Sequence, residues 1–290
     1  MQRVEARPPG LERFPFYVHD DRDVYISEKI RRRGVWEGFE TRLMLALLSP
    51  GDQVLDIGAN IGWYTMAAAR CVGASGRVFA FEPDARNFSI LSANIRESGA
   101  TGAIAVRAAL GRADGKAEIR RTGDNQGDIR VRNFSNSSAS SGLSANEVAV
   151  VALDEYLATQ PSFSLAKLRV LKMDVQGFEW DVLAGAQKLL ASLPERTVCF
   201  VEFDPALLRE CSHEACERFV AAIGSLNRDI FAIGRPLWRL RRKFTADLIA
   251  AAEPQSPACF DLIIAHRSAV GDLRAALPLV PRMLSSRMEF

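Results

Sequence analysis

The stretch Val54-Leu55-Asp56-Ile57-Gly58-Ala59-Asn60-Ile61-Gly62 decides the fold class of this chain of 290 residues. It predicts a short buried strand over 53–57, a turn at Gly58 and Gly62, and a helix over 62–72. Glycines let the backbone of the turn approach a ligand, and the helix that follows offers free N–H groups at its start. This arrangement indicates a nucleotide-binding unit of an α/β sheet. Asp56 is placed to reach a cationic ligand group or the N–H groups of the turn.

Strands and helices alternate outward from this turn. The apolar patterns predict further strands over 77–81, 104–107, 147–153, 168–173, 197–203, 229–233 and 260–265. They predict helices over 36–48, 85–98, 178–190 and 214–226, and Asp84 is the expected N-cap of the helix over 85–98. This alternation is typical of a doubly wound, mostly parallel sheet of the Rossmann-like α/β class.

The alternation is interrupted between residues 111 and 147. Segments 116–120 and 128–132 predict two β segments around the turn 123–127, and the stretch 133–142 is rich in serine and asparagine. That stretch is too polar and too small to contribute to a core. It is therefore either a mobile lid or a surface insertion without a role.

Length and composition suit one large α/β domain with short additions. The chain is 48% hydrophobic, which is enough apolar material for a single sizeable core. We expect three parts: a lead-in and a helix that packs over the site (1–50), the main domain (51–270, including a β and loop insertion at 111–147) and a tail (271–290). The lead-in is polar and rich in arginine.

Net charge and cysteine content indicate which partners and which cellular location to expect for this chain. The net charge of +2 does not favour a nucleic-acid partner. No apolar run approaches the ~20 residues that span a bilayer, and no secretory signal is visible at the start, so we expect a cytoplasmic protein, monomeric or homodimeric. The five irregularly spaced cysteines are typical of reduced thiols. The basic run 235–243 is either a solvated segment or a site for an anionic acceptor, a nucleotide-linked sugar, a membrane surface or nucleic acid.

Two positions distinguish the nucleotides that the glycine turn can bind. The dinucleotide fingerprint requires glycine where this chain has Asn60, and a side chain there crowds a pyrophosphate. S-adenosylmethionine (SAM) has no phosphate. Glu82 stands at the end of the next strand, 20 residues after Gly62, where an acid can bind both ribose hydroxyls of SAM or NAD. Together these positions favour SAM over NAD.

Five segments resemble the FkbM-type methyltransferase family, which belongs to the class I Rossmann-like methyltransferases. The segments are Gly-Val-Trp-Glu at 34–37, the turn region at 50–65, Val-Phe-Ala-Phe-Glu-Pro at 78–83, Ala-Ala-Leu-Gly at 108–111 and Leu-Lys-Met-Asp-Val-Gln-Gly-Phe-Glu at 171–179. The resemblance implies methyl transfer from SAM, commonly to a hydroxyl of a sugar or secondary metabolite. In some relatives it implies transfer to nitrogen, including peptide side-chain amides. The last third of the chain matches poorly, so the resemblance says least about the acceptor.

The motifs and the resemblance together give an expected set of cofactor contacts. In open α/β sheets ligands bind beyond the carboxyl ends of the strands, which is where these residues cluster. The set is Trp36, Glu40, Asp56, Gly58, Ala59, Asn60, Gly62, Tyr64, Thr65, Glu82, Pro83, Asn87, Ala109 and Asp174.

Asp174 and Glu202 end two strands of the predicted sheet, and we expect their carboxylates to lie close together near the reacting methyl group. One of them can act as a general base. Alternatively, the carboxylates hold Mg²⁺ or Ca²⁺, which prefer oxygen ligands, although we assign no metal ligands. A third interpretation is structural: Glu179 stabilises its helix dipole, and Glu202 binds Lys172 or another basic group.

Further residues are expected on the acceptor side. His19 lies in the lead-in and can fold over the site as a third catalytic residue beside Asp174 and Glu202. Asn125 and Asp128 resemble a family segment near the acceptor. Together with Gln176 and Glu179, they are the expected substrate contacts.

The sequence therefore predicts a SAM-dependent methyltransferase that methylates a hydroxyl of a saccharide or natural product. Its closest rival is N-methylation of a peptide or amide nitrogen. Two more distant hypotheses are a non-catalytic SAM-binding partner protein and a NAD-linked oxidoreductase. The expected acceptor is a small molecule, a glycan or a peptide, not a nucleic acid.

Overall fold

The computed structural model describes residues 1–20, 23, 25–122, 125–135, 146–234, 239–243, 245–251 and 259–277. The strands are β1 (Gln2–Ala6), β2 (Phe14–Val18), β3 (Gln53–Ile57), β4 (Arg77–Phe81), β5 (Ala103–Val106), β6 (Ala109–Gly111), β7 (Gly115–Thr122), β8 (Asn125–Ser135), β9 (Glu147–Ala152), β10 (Leu168–Met173), β11 (Val198–Phe203), β12 (Asp229–Gly234), β13 (Arg239–Lys243) and β14 (Phe260–Ala265). The helices are α1 (Ile26–Arg33), α2 (Gly38–Ala46), α3 (Trp63–Val72), α4 (Ala85–Ser98), α5 (Leu153–Ala158), α6 (Glu179–Ala184), α7 (Gln187–Ala191), α8 (Pro205–Cys211), α9 (Ala215–Ser225), α10 (Thr245–Ala251) and α11 (Val270–Ala276), with a 3₁₀ turn at Leu165–Lys167.

The main sheet has eight strands in the order β13-β12-β14-β11-β10-β3-β4-β5. Strands β5, β4, β3, β10 and β11 run parallel to one another, whereas β14 runs antiparallel to β11 and β12. The predicted doubly wound, mostly parallel sheet is therefore confirmed. Parallel strands bring their carboxyl ends to one edge of a sheet, which is where ligands bind in this class. His266 follows the antiparallel β14 and so lies away from that edge.

The sheet is covered by helices on both faces, which explains why its central strands are apolar throughout. Every residue of β3 and of β10 is buried. Because successive side chains of a strand point to opposite faces, Val54 and Val170 join the core beneath α2 and α3. Leu55 and Leu171 join the core on the opposite face, with α6 and α9.

The start of the chain is more regular than its arginine-rich composition suggested. Strands β1 and β2 form an antiparallel pair, and α1 follows them. The backbone of Tyr17 exchanges two hydrogen bonds with the Asn94 amide on α4, at 2.6 and 3.1 Å. Phe16 packs edge-on against Trp63, with ring centroids 5.8 Å apart. These contacts fix the lead-in against the main sheet.

The interruption in the alternation is a second sheet, with the strand order β6-β9-β7-β8. The two predicted β segments are present as β7 and β8, which pair antiparallel, and β8 extends further than the segment 128–132. Most of the serine-rich stretch, which we expected to be a lid or an insertion, lies at 136–145 and outside the described residues. Within the described ranges, no helix is long and apolar enough to cross a membrane.

Two other regions differ from the sequence prediction. The helix expected over 178–190 is divided into α6 and α7 at Gly185, where a Cβ would lie 1.9 Å from the Gly111 carbonyl oxygen. The close passage of the second sheet therefore prevents one continuous helix. Helix α8 was not predicted, although Asp204 caps it by accepting from the Ala206 and Leu207 N–H groups.

Candidate functional site

A cavity of about 240 Å³ opens at the carboxyl ends of β3, β4, β10 and β11. Its walls also include the start of α2, the strand β8 and the loop after β10. Twelve of the residues predicted from the sequence line it: Trp36, Gly58, Ala59, Asn60, Tyr64, Glu82, Pro83, Asn87, Ala109, Asp174, Gln176 and Glu202. The cavity therefore lies where the strand-end rule places a ligand.

The glycine turn is held tightly against the strand ends on both sides. Gly58 has φ +81°, and a Cβ at this position would lie 1.9 Å from the Asp174 carbonyl oxygen. The N–H groups of Gly58 and Ala59 both donate to the Phe81 carbonyl, at 3.0 and 2.9 Å. Glycine is therefore required at 58 by the approach of β10, a packing constraint that the sequence pattern did not reveal.

Glu82 presents a fixed carboxyl group to the cavity. It accepts hydrogen bonds from the Asn60 N–H and the Asp84 N–H, both at 2.8 Å. Burial, together with the nearby Asp84 and Asp56, raises its pKa to about 8. A carboxyl group held by two N–H groups keeps lone pairs for two more donors, which is what a pair of ribose hydroxyls supplies.

Asn87 lines the same end of the cavity, and His19 supports it from behind. The His19 Nε2 atom lies 2.8 Å from the Asn87 Oδ1 atom, and His19 is only 2% exposed. His19 is not among the lining residues, so it reaches the cavity only through Asn87. Its predicted catalytic role remains a prediction, and the geometry favours a positioning role.

The carboxylates of Asp174 and Glu202 are brought together by Gln176. The Gln176 side-chain amide donates to Asp174 Oδ1 and to Glu202 Oε2, both at 2.7 Å. Gln176 has φ +52°, a left-handed conformation that costs a non-glycine residue roughly 1–3 kcal/mol. In this strained conformation the Gln176 side chain bridges the carboxyl ends of β10 and β11.

The surroundings shift the pKa values of the two carboxyl groups in opposite directions. Burial would raise the pKa of Asp174, but the Lys172 ammonium and the Gln176 amide outweigh it and lower that pKa. Burial and the charges of Asp174 and Glu179 raise the pKa of Glu202 well above its usual value. Asp174 is therefore the stronger acid of the pair, and a proton shared by the two carboxyl groups resides preferentially on Glu202.

Lys172 and Glu37 are site residues that the predicted set omitted. The Lys172 ammonium lies 3.4 Å from Asp174 Oδ2 and 4.6 Å from the centre of the Tyr64 ring. Lys172 therefore binds Asp174, whereas the structural interpretation of the sequence had paired it with Glu202. The Tyr64 hydroxyl donates to Glu37 Oε2 at 2.8 Å. Both omitted residues stand inside segments already used for the family resemblance, so that signal was present.

Five more of the predicted residues lie beside the cavity without lining it. Asp56 is 1% exposed and accepts from the Thr65 hydroxyl at 2.5 Å, so it contacts α3 and not the glycine turn. Gly62 begins α3 with φ +90°. Glu40 is buried behind Glu37, beside a second, smaller cavity that Lys172 and Asp174 also line.

Glu179 is the fifth of these residues. Its Oε1 atom accepts from the Val175 and Gly177 N–H groups, each at 3.2 Å, which ties the loop after β10 to the start of α6. Its Oε2 atom is buried and has no hydrogen-bond partner among the described residues. Burial raises the pKa of Glu179 to about 7. These contacts match the structural role that the sequence left open.

The acceptor side of the cavity is only partly described. Asn125 and Asp128 lie in β8, but their side chains are outside the described part of the structure. Ile129 and Val131 of the same strand line the cavity, together with Phe178. In the described ranges, no group of three or more His, Cys, Asp or Glu side chains is arranged to hold a metal ion, so the hypothesis of a metal site gains no support.

Comparisons with known proteins bear on the class of the site. Residues 56–223 match the model of a family described as the methyltransferase FkbM domain, which covers more than half of the chain. A comparison with curated proteins found no match.

Similar solved structures have low sequence identity to this chain. A precorrin-6y C5,15-methyltransferase from Geobacter metallireducens is 11% identical over 79% of this chain and 88% of that chain, with a TM-score of 0.42. A SAM-dependent O-methyltransferase from Thermotoga maritima is 13% identical over 82% and 70%, with a TM-score of 0.40. A TehB-like SAM-dependent methyltransferase from Corynebacterium glutamicum is 12% identical over 83% and 94%, with a TM-score of 0.43. At these values the likenesses carry no argument about the reaction.

Proposed function

The chain belongs to the FkbM methyltransferase family, whose members use SAM, and we propose that it methylates a hydroxyl group of a saccharide or natural product. The observation that supports methyl transfer is the Asp174–Gln176–Glu202 cluster, which offers a place beside the cavity for the proton that the acceptor loses. An amide nitrogen loses a proton as well, so the preference for oxygen follows the resemblance of the sequence to its family. A hydroxyl must lose its proton when it is methylated, whereas the sulfonium of the cofactor needs no acid to leave.

The residues of the cavity suit SAM. Glu82 holds a carboxyl group where ribose hydroxyls bind in this fold, fixed by the Asn60 N–H. Asn60 stands where the dinucleotide fingerprint requires glycine, and a side chain at that position crowds a pyrophosphate. The described lining includes four carboxyl groups, from Glu37, Glu82, Asp174 and Glu202, whose oxygens can accept hydrogen bonds from the hydroxyl and ammonium groups of the cofactor. When bound, SAM supplies an activated methyl group for in-line displacement.

Asp174 is the residue that we assign as proton acceptor. The oxygen of the acceptor forms a bond to the methyl carbon as the carbon–sulfur bond breaks, and the hydroxyl proton passes to the carboxyl pair. The products are a methyl ether and S-adenosylhomocysteine. Gln176 fixes the position of the Asp174 and Glu202 carboxyl groups. Lys172 stabilises the negative charge on Asp174 before the transfer.

The apolar part of the cavity wall suits an acceptor with an apolar flank. Ile129, Val131 and Phe178 contribute apolar surface from β8 and from the loop after β10. Tyr25 and Trp36 line the cavity from the start of the chain, and their rings can pack against the C–H faces of a sugar or a polyketide-like skeleton. Such a wall orients the acceptor by shape and leaves its hydroxyl facing Asp174.

A test of this proposal follows methyl transfer from radiolabelled SAM to a panel of sugars, glycosides, hydroxylated natural products and peptides. The labelled product is identified by mass spectrometry and NMR as a methyl ether or an N-methyl amide. With a hydroxyl acceptor, Asp174→Asn should lower kcat by about 10²–10⁴-fold, because the proton acceptor is lost. The Kd for SAM should change by less than about threefold, since the substitution keeps the shape of the side chain.

The matched control is Glu155→Gln, another exchange of a carboxylate for an amide. Glu155 is on α5, has an exposed side chain and does not line the cavity. We expect its kcat to equal that of the wild type. Transfer to a peptide amide and to no hydroxyl would overturn the choice of oxygen. An unchanged kcat in Asp174→Asn would overturn the assignment of Asp174.

A further inference from the structure

One carboxyl group that lines the cavity takes no part in the proposed proton transfer. Glu37 stands immediately before α2 and has φ +41°, so its backbone is held in the left-handed region without being glycine. Strain of this kind persists only where the surrounding structure determines it, and it is concentrated at binding and catalytic sites. Together with Asn60 and Gln176, Glu37 is one of three strained residues that line this cavity.

The contacts of Glu37 leave one of its oxygens available. The Oε2 atom accepts from the Tyr64 hydroxyl at 2.8 Å, and Tyr64 is 6% exposed, so the carboxyl group is fixed in direction. Its Oε1 atom accepts no hydrogen bond from any described residue. A carboxylate held by one buried donor, with its second oxygen on a cavity, is prepared for a donor from a ligand.

The position of Glu37 along the cavity indicates which donor this is. Glu82, beyond β4, lies at one end, and Asp174, beyond β10, lies past the glycine turn of β3. In the proposed function, Glu82 binds the ribose of the cofactor and Asp174 lies at the reacting centre. The amino-acid half of SAM still requires a binding partner, and it carries an α-ammonium.

We propose that Glu37 binds the α-ammonium of the methionine half of SAM through its Oε1 atom. This proposal rests on the proposed function, because it concerns the same cofactor. The carboxylate of the methionine half then lies toward Lys172, which is the one cationic side chain among the described lining residues. Glu40, which we expected from the sequence to be a cofactor contact, does not line this cavity.

Glu40 provides a matched control within the same helix region. It is also a buried glutamate near Lys172, but it does not line the main cavity. Burial and the neighbouring Glu37 raise the pKa of Glu40 well above the usual value. Burial also raises the pKa of Glu37, but Lys172 opposes that rise, and an ammonium bound at Oε1 would oppose it further. Because Glu40 does not line the main cavity, it is not placed to bind an ammonium group there.

The experiment compares two ligands that share adenosine and sulfur but differ in the amino-acid half. S-adenosylhomocysteine carries the α-ammonium, whereas 5′-methylthioadenosine has only a methyl group on sulfur. Calorimetric titration of both ligands is made with the wild type, Glu37→Gln and Glu40→Gln. In Glu37→Gln the side-chain amide oxygen can still accept from Tyr64, so the fold is expected to be kept.

We expect Glu37→Gln to weaken S-adenosylhomocysteine about 10- to 100-fold, the range of a lost hydrogen bond to a charged group. Its affinity for 5′-methylthioadenosine, and both affinities of Glu40→Gln, should change less than about threefold. Equal weakening of both ligands by Glu37→Gln, or no weakening of either, would overturn the proposal. A wild type that binds neither ligand would contradict the proposed function itself, a result that differs from a loss confined to the variant.

Discussion

Gly58→Ala tests the claim that the glycine turn and the loop that carries Asp174 are packed as one unit. The new Cβ would lie 1.9 Å from the Asp174 carbonyl oxygen, where real Cβ atoms stay at least 3.0 Å away. The ends of β3 and β10 must therefore separate by roughly 1 Å, and overpacking of this kind costs about 1–3 kcal/mol. The φ of +81° adds about 1–2 kcal/mol for any residue with a Cβ. We expect the free energy of unfolding to fall by about 2–5 kcal/mol.

The control is Gly99→Ala, which isolates the backbone cost from the steric overlap. Gly99 ends α4 with φ +64°, and a Cβ there meets nothing within 4 Å. This variant should lose only about 1–2 kcal/mol. Urea denaturation of the wild type and both variants measures the difference. If Gly58→Ala is no less stable than Gly99→Ala, the turn and the Asp174 loop are not in close contact.

Three further predictions concern charged and polar groups. Relative to Glu82→Gln, the wild type should lose stability as pH rises from about 5 to 8, because the pKa of Glu82 is raised to about 8 and its proton stabilises the folded state only below that pH; a difference in urea midpoint that stays constant with pH would contradict this. Arg121→Met should lower the free energy of unfolding by about 1–2 kcal/mol, because Arg121 Nε donates to the buried Asp84 carboxylate at 2.8 Å. The control Arg218→Met breaks an exposed ion pair and should lower it by less than about 0.5 kcal/mol in the same urea denaturation assay. His19→Gln should raise KM for SAM severalfold and change kcat less than about threefold, since His19 only supports a lining residue; a fall in kcat of about 10²-fold would restore it as a catalytic group.

The main sheet could be predicted because its strands are short, buried on both faces and separated by amphipathic helices. The strand limits 53–57, 77–81, 168–173 and 260–265 agree with the structure to the residue. Asp84 caps its helix as predicted, accepting from the Arg86 and Asn87 N–H groups. In such elements local pattern and tertiary burial favour the same conformation.

The lead-in could not be predicted as well, because its pattern is short and is mixed with charge. Phe14, Phe16 and Val18 are buried with less buried residues between them, a period of two that indicates a strand. Because charged arginines surround this segment, its short alternating pattern did not stand out as a strand in the sequence. Its fold depends on packing against α4 and Trp63, which a single sequence does not show.

The site was predicted in part, and the omissions have one physical cause. Sequence reasoning found the strand ends with Glu82, Asp174 and Glu202, because position in the fold is enough to locate them. It chose Glu40 over Glu37, because a left-handed residue before a helix is not visible in residue type. Contacts that depend on backbone conformation or on the second sheet cannot be derived from residue types alone.

The central claim is that the cavity beyond β3, β4 and β10 binds SAM, and calorimetric titration tests it most directly. Purified wild type and Glu82→Gln are titrated with SAM, S-adenosylhomocysteine and NADH. We expect micromolar binding of the two adenosyl ligands to the wild type, weakening of at least about tenfold in Glu82→Gln, and no binding of NADH. Binding of NADH without binding of either adenosyl ligand would contradict the claim.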